Sequence, residues 1–474
     1  MVRSPATRRC LATLLGAGLV IGAGCGSGGG SSGDGSGGSG NGGTPTACSE
    51  TDRKQFTLDV ARDWYLFPEL LPSSVTLADF ADAEALLEHV TATAREQRKD
   101  RAFSYLTTPS EDSALLGEGQ FNGFGFRTRT DPGSRPFITE VFESGPAPEA
   151  GLRRGDEIVA VDSGSGFVAV ADLLAEGSTL SDALGPAEVG VRRGLRLLRD
   201  GATREVSMTK RTVTIDPVSD AYGSAVLPLE GTTGVGYLNL RTYISTADTQ
   251  LREAFARFRS RGIDWFIVDL RYNGGGLVST AELLNDLLGG ARTSADVQLQ
   301  VLHNPRRSAE NRTRRFSPAL QSVRPVRIAF LTTGATASAS EINVNSMAPW
   351  VEVAVVGENT LGKPVGQLAF DLGGCNTRLR LVSFRTVNAR GEGDYYDGLA
   401  GTLPFACAAT DTLDRPLGDA GEGLTAAALE WLRTGACRTV MSPAPAARQK
   451  SDAGGTGLPR PPASAAEAWL PGIA

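Results

Sequence analysis

Along residues 232–432 the apolar positions change rhythm repeatedly. Gly234 to Leu240 reads as a strand, and so does Asp264-Trp265-Phe266-Ile267-Val268-Asp269-Leu270, apolar nearly throughout. Between them, Ala247 to Ser260 follows an amphipathic helical period, and a second helix is expected near 278–289. Val326 to Leu331 is another buried strand, followed by a helix near 338–348 and a strand from Val351 to Val356. Apolar runs of strand length alternating with helices predict an α/β domain with a largely parallel sheet, here 214–441.

The rhythm upstream is different. Phe56, Val60, Trp64 and Phe67 recur at helical spacing, as do Phe80, Ala83, Leu86, Leu87 and Val90. A small helical N-terminal domain is therefore expected over 50–119, with Asp100-Arg101-Ala102-Phe103-Ser104-Tyr105-Leu106 closing its helical part. Residues 120–213 switch to short strands punctuated by Gly and Pro. The phrase Ser144-Gly145-Pro146-Ala147-Pro148-Glu149-Ala150-Gly151-Leu152-Arg153-Arg154-Gly155-Asp156-Glu157-Ile158-Val159-Ala160-Val161-Asp162 resembles the centre of a PDZ domain. The earlier Gly123-Phe124-Gly125-Phe126 resembles a PDZ carboxylate-binding loop. There, glycine leaves backbone N–H groups open to a peptide terminus that adds as a strand at a sheet edge. The alternative is a PDZ-like fold that only orients its neighbour.

Composition changes the picture mainly at the ends. Glycine is abundant, 58 of 474 residues, and much of the excess lies in GSGGGSSGDGSGGSGNGG at 26–43. Such a stretch offers no apolar surface to offset its ordering entropy and reads as a flexible tether (26–49) with a reach of roughly 23 Å. It follows a signal-peptide pattern over 1–25: Arg3, Arg8 and Arg9, then an apolar core from Leu11 to Ala23 that is too short to span a bilayer. The core ends in Ile21-Gly22-Ala23-Gly24-Cys25, which resembles a lipobox and makes Cys25 the candidate lipid anchor. The expected place is therefore a bacterial cell envelope, with ordinary cleavage and secretion as the alternative. The Ala/Pro/Gly/Ser-rich tail, 442–474, is expected to be disordered.

Net charge is −6 with no Lys/Arg block, so nucleic-acid binding has no electrostatic support. Besides Cys10 and Cys25, four cysteines remain: Cys48, Cys375, Cys407 and Cys437. An even number in an exported chain suggests two disulfides. The expected pairs are Cys375–Cys407 and Cys48–Cys437, with the two other pairings open. No C-x-x-C spacing supports a metal or redox site, and no metal or organic cofactor is expected.

Candidate chemistry sits where loops leave buried strands. Arg271-Tyr272-Asn273-Gly274-Gly275-Gly276 lets backbone N–H groups approach a reacting atom, as an oxyanion site requires, and it lacks the Lys-Ser/Thr of a phosphate loop. Thr333-Gly334-Ala335-Thr336-Ala337-Ser338-Ala339-Ser340-Glu341-Ile342 opens a helix. Its bland reading is a helix cap, with Glu341 as capping-box partner. The third piece is Leu361-Gly362-Lys363-Pro364-Val365-Gly366-Gln367. The chain has two histidines, His89 and His303, each in an ordinary helix or strand context. A serine nucleophile here would need a lysine base, kept neutral by burial.

In this order the three pieces resemble the C-terminal processing (tail-specific) serine peptidases. Their pattern is Asp-Leu-Arg-x-Asn-x-Gly-Gly, then Ser-Ala-Ser-Glu, then Gly-Lys. The resemblance covers about residues 50–432. It implies a crotonase-like ββα arrangement carrying an inserted PDZ-like domain, with Ser338 as nucleophile and Lys363 as base. It further implies that Gln367 orients the lysine and that the N–H groups of Gly276 and Ala339 form the oxyanion site. Leu361 replaces the usual Phe of this pattern, and Pro349 stands where some members carry an Asp. Polypeptide substrates, met through their C-terminal residues, would be the partners, beside the membrane reached by the anchor. An adaptor or an oligomeric state is not specified. The competing reading is a tethered PDZ peptide-binding protein on an inactive scaffold.

Overall fold

The alternating runs of the C-terminal half form one six-stranded sheet. In the computed structural model, which describes residues 48–442, 466–467 and 470–474, its strand order is Ser224–Leu227, Val235–Asn239, Trp265–Asp269, Arg327–Thr332, Glu352–Gly357 and Ala406–Ala408. Only the first pair is antiparallel. Successive side chains of a strand point to opposite faces, and both faces are covered. Phe266, Val268, Ile328, Phe330, Val353 and Val355 join a core with the helices Ala247–Ser260, Val278–Leu288 and Ala339–Met347. Ile267, Ala329, Leu331, Ala354 and Val356 join a second core with the helix Gly423–Thr434. Two-sided burial explains why these strands read as continuous apolar runs.

A second, antiparallel sheet runs Tyr105–Thr107, Thr377–Val387, Val297–His303 and Arg312–Arg315, with Val365–Leu372 also paired to Thr377–Val387. The helices Glu50–Trp64 and Ala83–Glu96 lie against it. Leu58, Ala61, Tyr65, Leu86, Leu87 and Val90 share one core with Val365, Leu379, Leu381 and Val382. The helical segment expected as a small domain of its own therefore buries its apolar stripe on this sheet, whose strand Val365–Leu372 begins just past Lys363. Residues 120–213 form an inserted β unit: a six-stranded sheet with short helices and a core of Phe124, Phe126, Ile138, Leu152, Ile158, Leu195 and Leu197. Its stem is the antiparallel pair Gln120–Gly123 and Arg211–Thr214.

The disulfides are Cys48–Cys375 and Cys407–Cys437, with Cα separations of 5.4 and 4.9 Å. This corrects the expected pairs Cys375–Cys407 and Cys48–Cys437. Cys375 sits in the turn between Val365–Leu372 and Thr377–Val387 of the antiparallel sheet, whereas Cys407 lies on the edge strand of the parallel sheet opposite Val356. A bridge tolerates Cα separations of only a few ångströms. Cys48 instead precedes the helix that packs on the antiparallel sheet, and Cys437 follows the helix Gly423–Thr434 beside Cys407. The signal peptide, Cys25 and the Gly/Ser tether fall outside the described residues. Of the tail expected to be disordered, residues 470–474 instead pack on the inserted unit, Leu470 being wholly buried. Among the described residues no helix is long and apolar enough to cross a membrane.

Non-reducing peptide mapping is expected to recover the 48–375 and 407–437 linked peptides. Cys407→Ala with Cys437→Ala opens a closed segment of 30 residues and should cost about 3–4 kcal/mol of stability, read by chemical unfolding.

Candidate active site

The loop 271–276 leaves the strand Trp265–Asp269 at its C-terminal end, and buried charges fix it. Arg271 donates from Nε to Asp269 Oδ1 at 2.9 Å, from Nη1 to Asp411 Oδ1 at 3.0 Å and from Nη2 to Glu422 Oε2 at 2.8 Å. The four side chains are all but fully buried. Asn273 Nδ2 donates to the Leu240 carbonyl at 2.7 Å, and its Oδ1 accepts from Gly275 N at 2.9 Å. Two of the glycines are obligatory by geometry. Gly275 has φ +109°, and a Cβ there would lie 2.8 Å from Ser338 Cβ; Gly276 has φ +135°, and a Cβ there would lie 2.1 Å from the Tyr243 carbonyl oxygen. The glycine run thus packs directly against Ser338.

Ser338 precedes the helix Ala339–Met347 with φ 56° and ψ −118°. A non-glycine residue in that region costs roughly 1–3 kcal/mol and persists only where its surroundings hold it. They do so here: Thr336 Oγ1 donates to the Leu270 carbonyl at 2.9 Å, while Ala337 N and Ser340 Oγ both donate to the Asn273 carbonyl, at 3.1 and 3.0 Å. The N–H of Ala339, the first helical residue, belongs to the set that has no partner inside a helix.

Glu341 links this loop to the lysine. Its carboxylate, wholly buried, accepts from Ser338 N at 2.9 Å, from Gly362 N at 2.8 Å and from Lys363 N at 2.8 Å. Leu361 N also donates to the Thr336 carbonyl at 2.9 Å. Burial pushes the Glu341 carboxyl above its ordinary value, against the Thr360 hydroxyl and the three backbone donors, which favour its charged form. The capping-box reading caught only part of this: the Ser338 N–H does bind Glu341, but the same carboxylate gathers the loop 362–363, far away in sequence.

Lys363 is about 5% exposed. Burial brings its ammonium down to about 7; Asp100 and Glu341 favour the charged form, Arg380 and Arg101 oppose it, and desolvation outweighs all of them. Its Nζ donates to Gln367 Oε1 at 3.1 Å and stands 4.8 Å from the centre of the Phe103 ring. Gln367 in turn donates to the Phe103 carbonyl. Arg101 donates to the Leu361 carbonyl at 2.7 Å and to the Gly362 carbonyl. Asp100 braces the turn by accepting from Phe103 N at 2.8 Å and Ser104 Oγ at 2.6 Å. Asp100, Arg101 and Phe103 thus wall the lysine, a role that their place at the end of a helical segment did not signal.

The two histidines lie elsewhere. His303 pairs through Nδ1 with the Ser383 carbonyl at 3.0 Å and packs on Trp64 and Phe384; His89 packs on Phe80. Among the described residues no group of three or more His, Cys, Asp or Glu is placed to hold a metal ion. Phe124 and Phe126 point into the core of the inserted unit, and the N–H groups of Gly125 and Phe126 bind Ala474 of the same chain. The inserted unit also touches the glycine loop: Arg127 Nη1, buried, donates to the Tyr272 carbonyl at 2.9 Å, and Arg154 donates to the Tyr272 hydroxyl at 2.9 Å and to Asp411 at 2.6 Å.

The segment that carries this geometry is similar to known peptidases. Residues 234–397 match the sequence model of peptidase family S41. The chain is 30% identical over 294 residues to the chloroplastic C-terminal processing peptidase of Tetradesmus obliquus, a match that covers 58% of each chain. It is 24% identical to the carboxy-terminal processing protease CtpB of Bacillus subtilis, over 57% of this chain and 53% of that one. The chain therefore spans less than two thirds of the length of these curated relatives. A solved structure named as an S41 protease, from Bacteroides fragilis, superposes with a TM-score of 0.64 at 25% identity, covering 80% of this chain and 97% of that one. The glycine loop, Ser338 and Lys363 all fall inside the segment 234–397 that matches the model of peptidase family S41.

Proposed function

We propose that the protein is a serine endopeptidase working through a Ser338–Lys363 dyad. The observation that carries this reading is the buried Lys363, held near neutrality by burial on a loop that shares the Glu341 carboxylate with Ser338. At neutral pH a large share of Lys363 is then uncharged and able to take the Ser338 hydroxyl proton. Ser338 Oγ attacks a peptide carbonyl. The N–H groups of Gly276 and Ala339 receive the negative charge that develops on its oxygen. Lys363 returns the proton to the leaving amine, and water then releases the acyl group by the same route. Gln367, accepting from Nζ, acts as a positioning residue. The inserted β unit, read as PDZ-like, presents Gly123 to Phe126 to substrate C-termini. The export signal, Cys25 and the glycine tether would hold the enzyme at a bacterial cell envelope.

Hydrolysis of an unfolded protein with an apolar C-terminus tests the dyad. Ser338→Ala and Lys363→Ala should each lower kcat/KM by on the order of 1000-fold or more while the proteins stay folded. Lys363→Arg should be equally inert, because a guanidinium keeps its charge and cannot accept a proton. Substantial turnover by any of these variants overturns the assignment. An inert wild type that still binds the peptide would favour the reading as a binding scaffold.

The pH dependence has a fixed sign. The base must be neutral, so kcat/KM should be low in acid, rise through about pH 7 as Lys363 loses its proton, and level off above. Phe103→Ala admits water to Nζ and should move that midpoint upward, because desolvation is the dominant cause of its depression. A midpoint that stays put would separate the pH profile from Lys363.

A further inference from the structure

Residues 470–474 lie beside the strand Phe126–Thr130: Ile473 forms an antiparallel bridge with Arg127, and 470–473 make a turn in which Ile473 N donates to the Leu470 carbonyl at 3.1 Å. Thr128 N donates to the Gly472 carbonyl at 2.8 Å and Ala474 N to the Phe126 carbonyl at 2.9 Å; Gly125 N and Phe126 N both donate to Ala474 O, at 2.9 and 3.3 Å. The side chains are seated as well. Leu470 is wholly buried among Phe121, Phe142, Val213, Ile215 and Ile244, and Ala474 packs on the core of the inserted unit. Shape restricts the fit at two points. Gly472 has φ +76°, and a Cβ there would fall 2.2 Å from the Thr128 carbonyl oxygen; a Cβ at Gly123 would fall 3.0 Å from Ala474.

Addition of a strand to a sheet edge, with main-chain bonds for affinity and side-chain pockets for selectivity, is a mode of peptide capture. We propose that the segment 470–474 is an intramolecular ligand of this groove and that substrate tails must displace it to bind. This rests on the reading of the groove as the substrate-binding one. The segment also describes the ligand: a peptide with a small residue at the Gly125 and Phe126 amides, a glycine turn two positions earlier and a large aliphatic side chain four positions earlier. A tethered competitor acts at an effective concentration of order mM. With an intrinsic Kd of about 10 µM for the segment itself, a free peptide would therefore bind on the order of 100-fold more weakly while the segment is seated.

The test uses the full chain with Ser338→Ala, so that binding is read without turnover. The probe is fluorescently labelled Leu-Pro-Gly-Ile-Ala, followed by anisotropy. Gly472→Val and, separately, Leu470→Asp unseat the segment without altering the strand that receives it. Each is expected to tighten peptide binding by about 10- to 100-fold, with circular dichroism unchanged. Equal affinity with and without the substitutions, or no binding to any of the three proteins, overturns the proposal. Tightened binding in a protein whose Ser338 form hydrolyses nothing leaves this inference standing and removes the peptidase reading. Robust hydrolysis with no change in affinity removes this inference alone.

Discussion

One buried carboxylate holds the candidate site together. Glu341 accepts backbone N–H bonds from Ser338, Gly362 and Lys363, so two loops that are remote in sequence take their positions from a single group. A buried carboxylate is costly unless its hydrogen-bonding capacity is filled, and here three amides and the Thr360 hydroxyl fill it. That arrangement lets Ser338 keep a backbone conformation it would not adopt freely, and it anchors the loop on which Lys363 is buried. Removing Glu341 would leave three buried donors unpaired, so the site and the local fold depend on the same atoms.

The glycine loop has an equally demanding support. Arg271 is bound by Asp269, Asp411 and Glu422 in the interior, and Tyr237 donates to Asp269 from within the sheet at 2.6 Å. Such a network adds little net stability over apolar packing, but breaking it leaves an uncompensated charge and costs roughly 3–5 kcal/mol. Its value here is positional. It fixes where the backbone of Tyr272 to Gly276 lies relative to Ser338, and it reaches the inserted unit through Arg154 and Asp411. Arg241, bound to Glu140 and Glu143, makes a second buried junction between the two.

How much of this was legible in the sequence follows from the range of each interaction. Strands such as Trp265–Asp269 and Arg327–Thr332 are buried on both faces, so their apolar runs stand out within a few residues of their observed ends. The glycines at 275 and 276 were legible because backbone geometry alone excludes a side chain. The disulfide pairing was not, since it depends on which sheet each cysteine joins. Nor was the wall around Lys363: Phe103 and Gln367 meet only because the helical segment docks on the antiparallel sheet. The composition of the tail suggested disorder, yet Leu470, Gly472 and Ala474 each meet a specific feature of the inserted unit, a match that no local pattern announces.

The proposed dyad depends on the state of one amine. Burial must outweigh Asp100 and Glu341 for Lys363 to be neutral when Ser338 needs a base. Lysine-selective isotope labelling of the Ser338→Ala protein, with Lys363→Ala as the assignment control, allows its side chain to be titrated directly by NMR. A midpoint near pH 7 for the Lys363 resonance is the predicted result. A midpoint near 10, with the ammonium still charged at neutral pH, would contradict it.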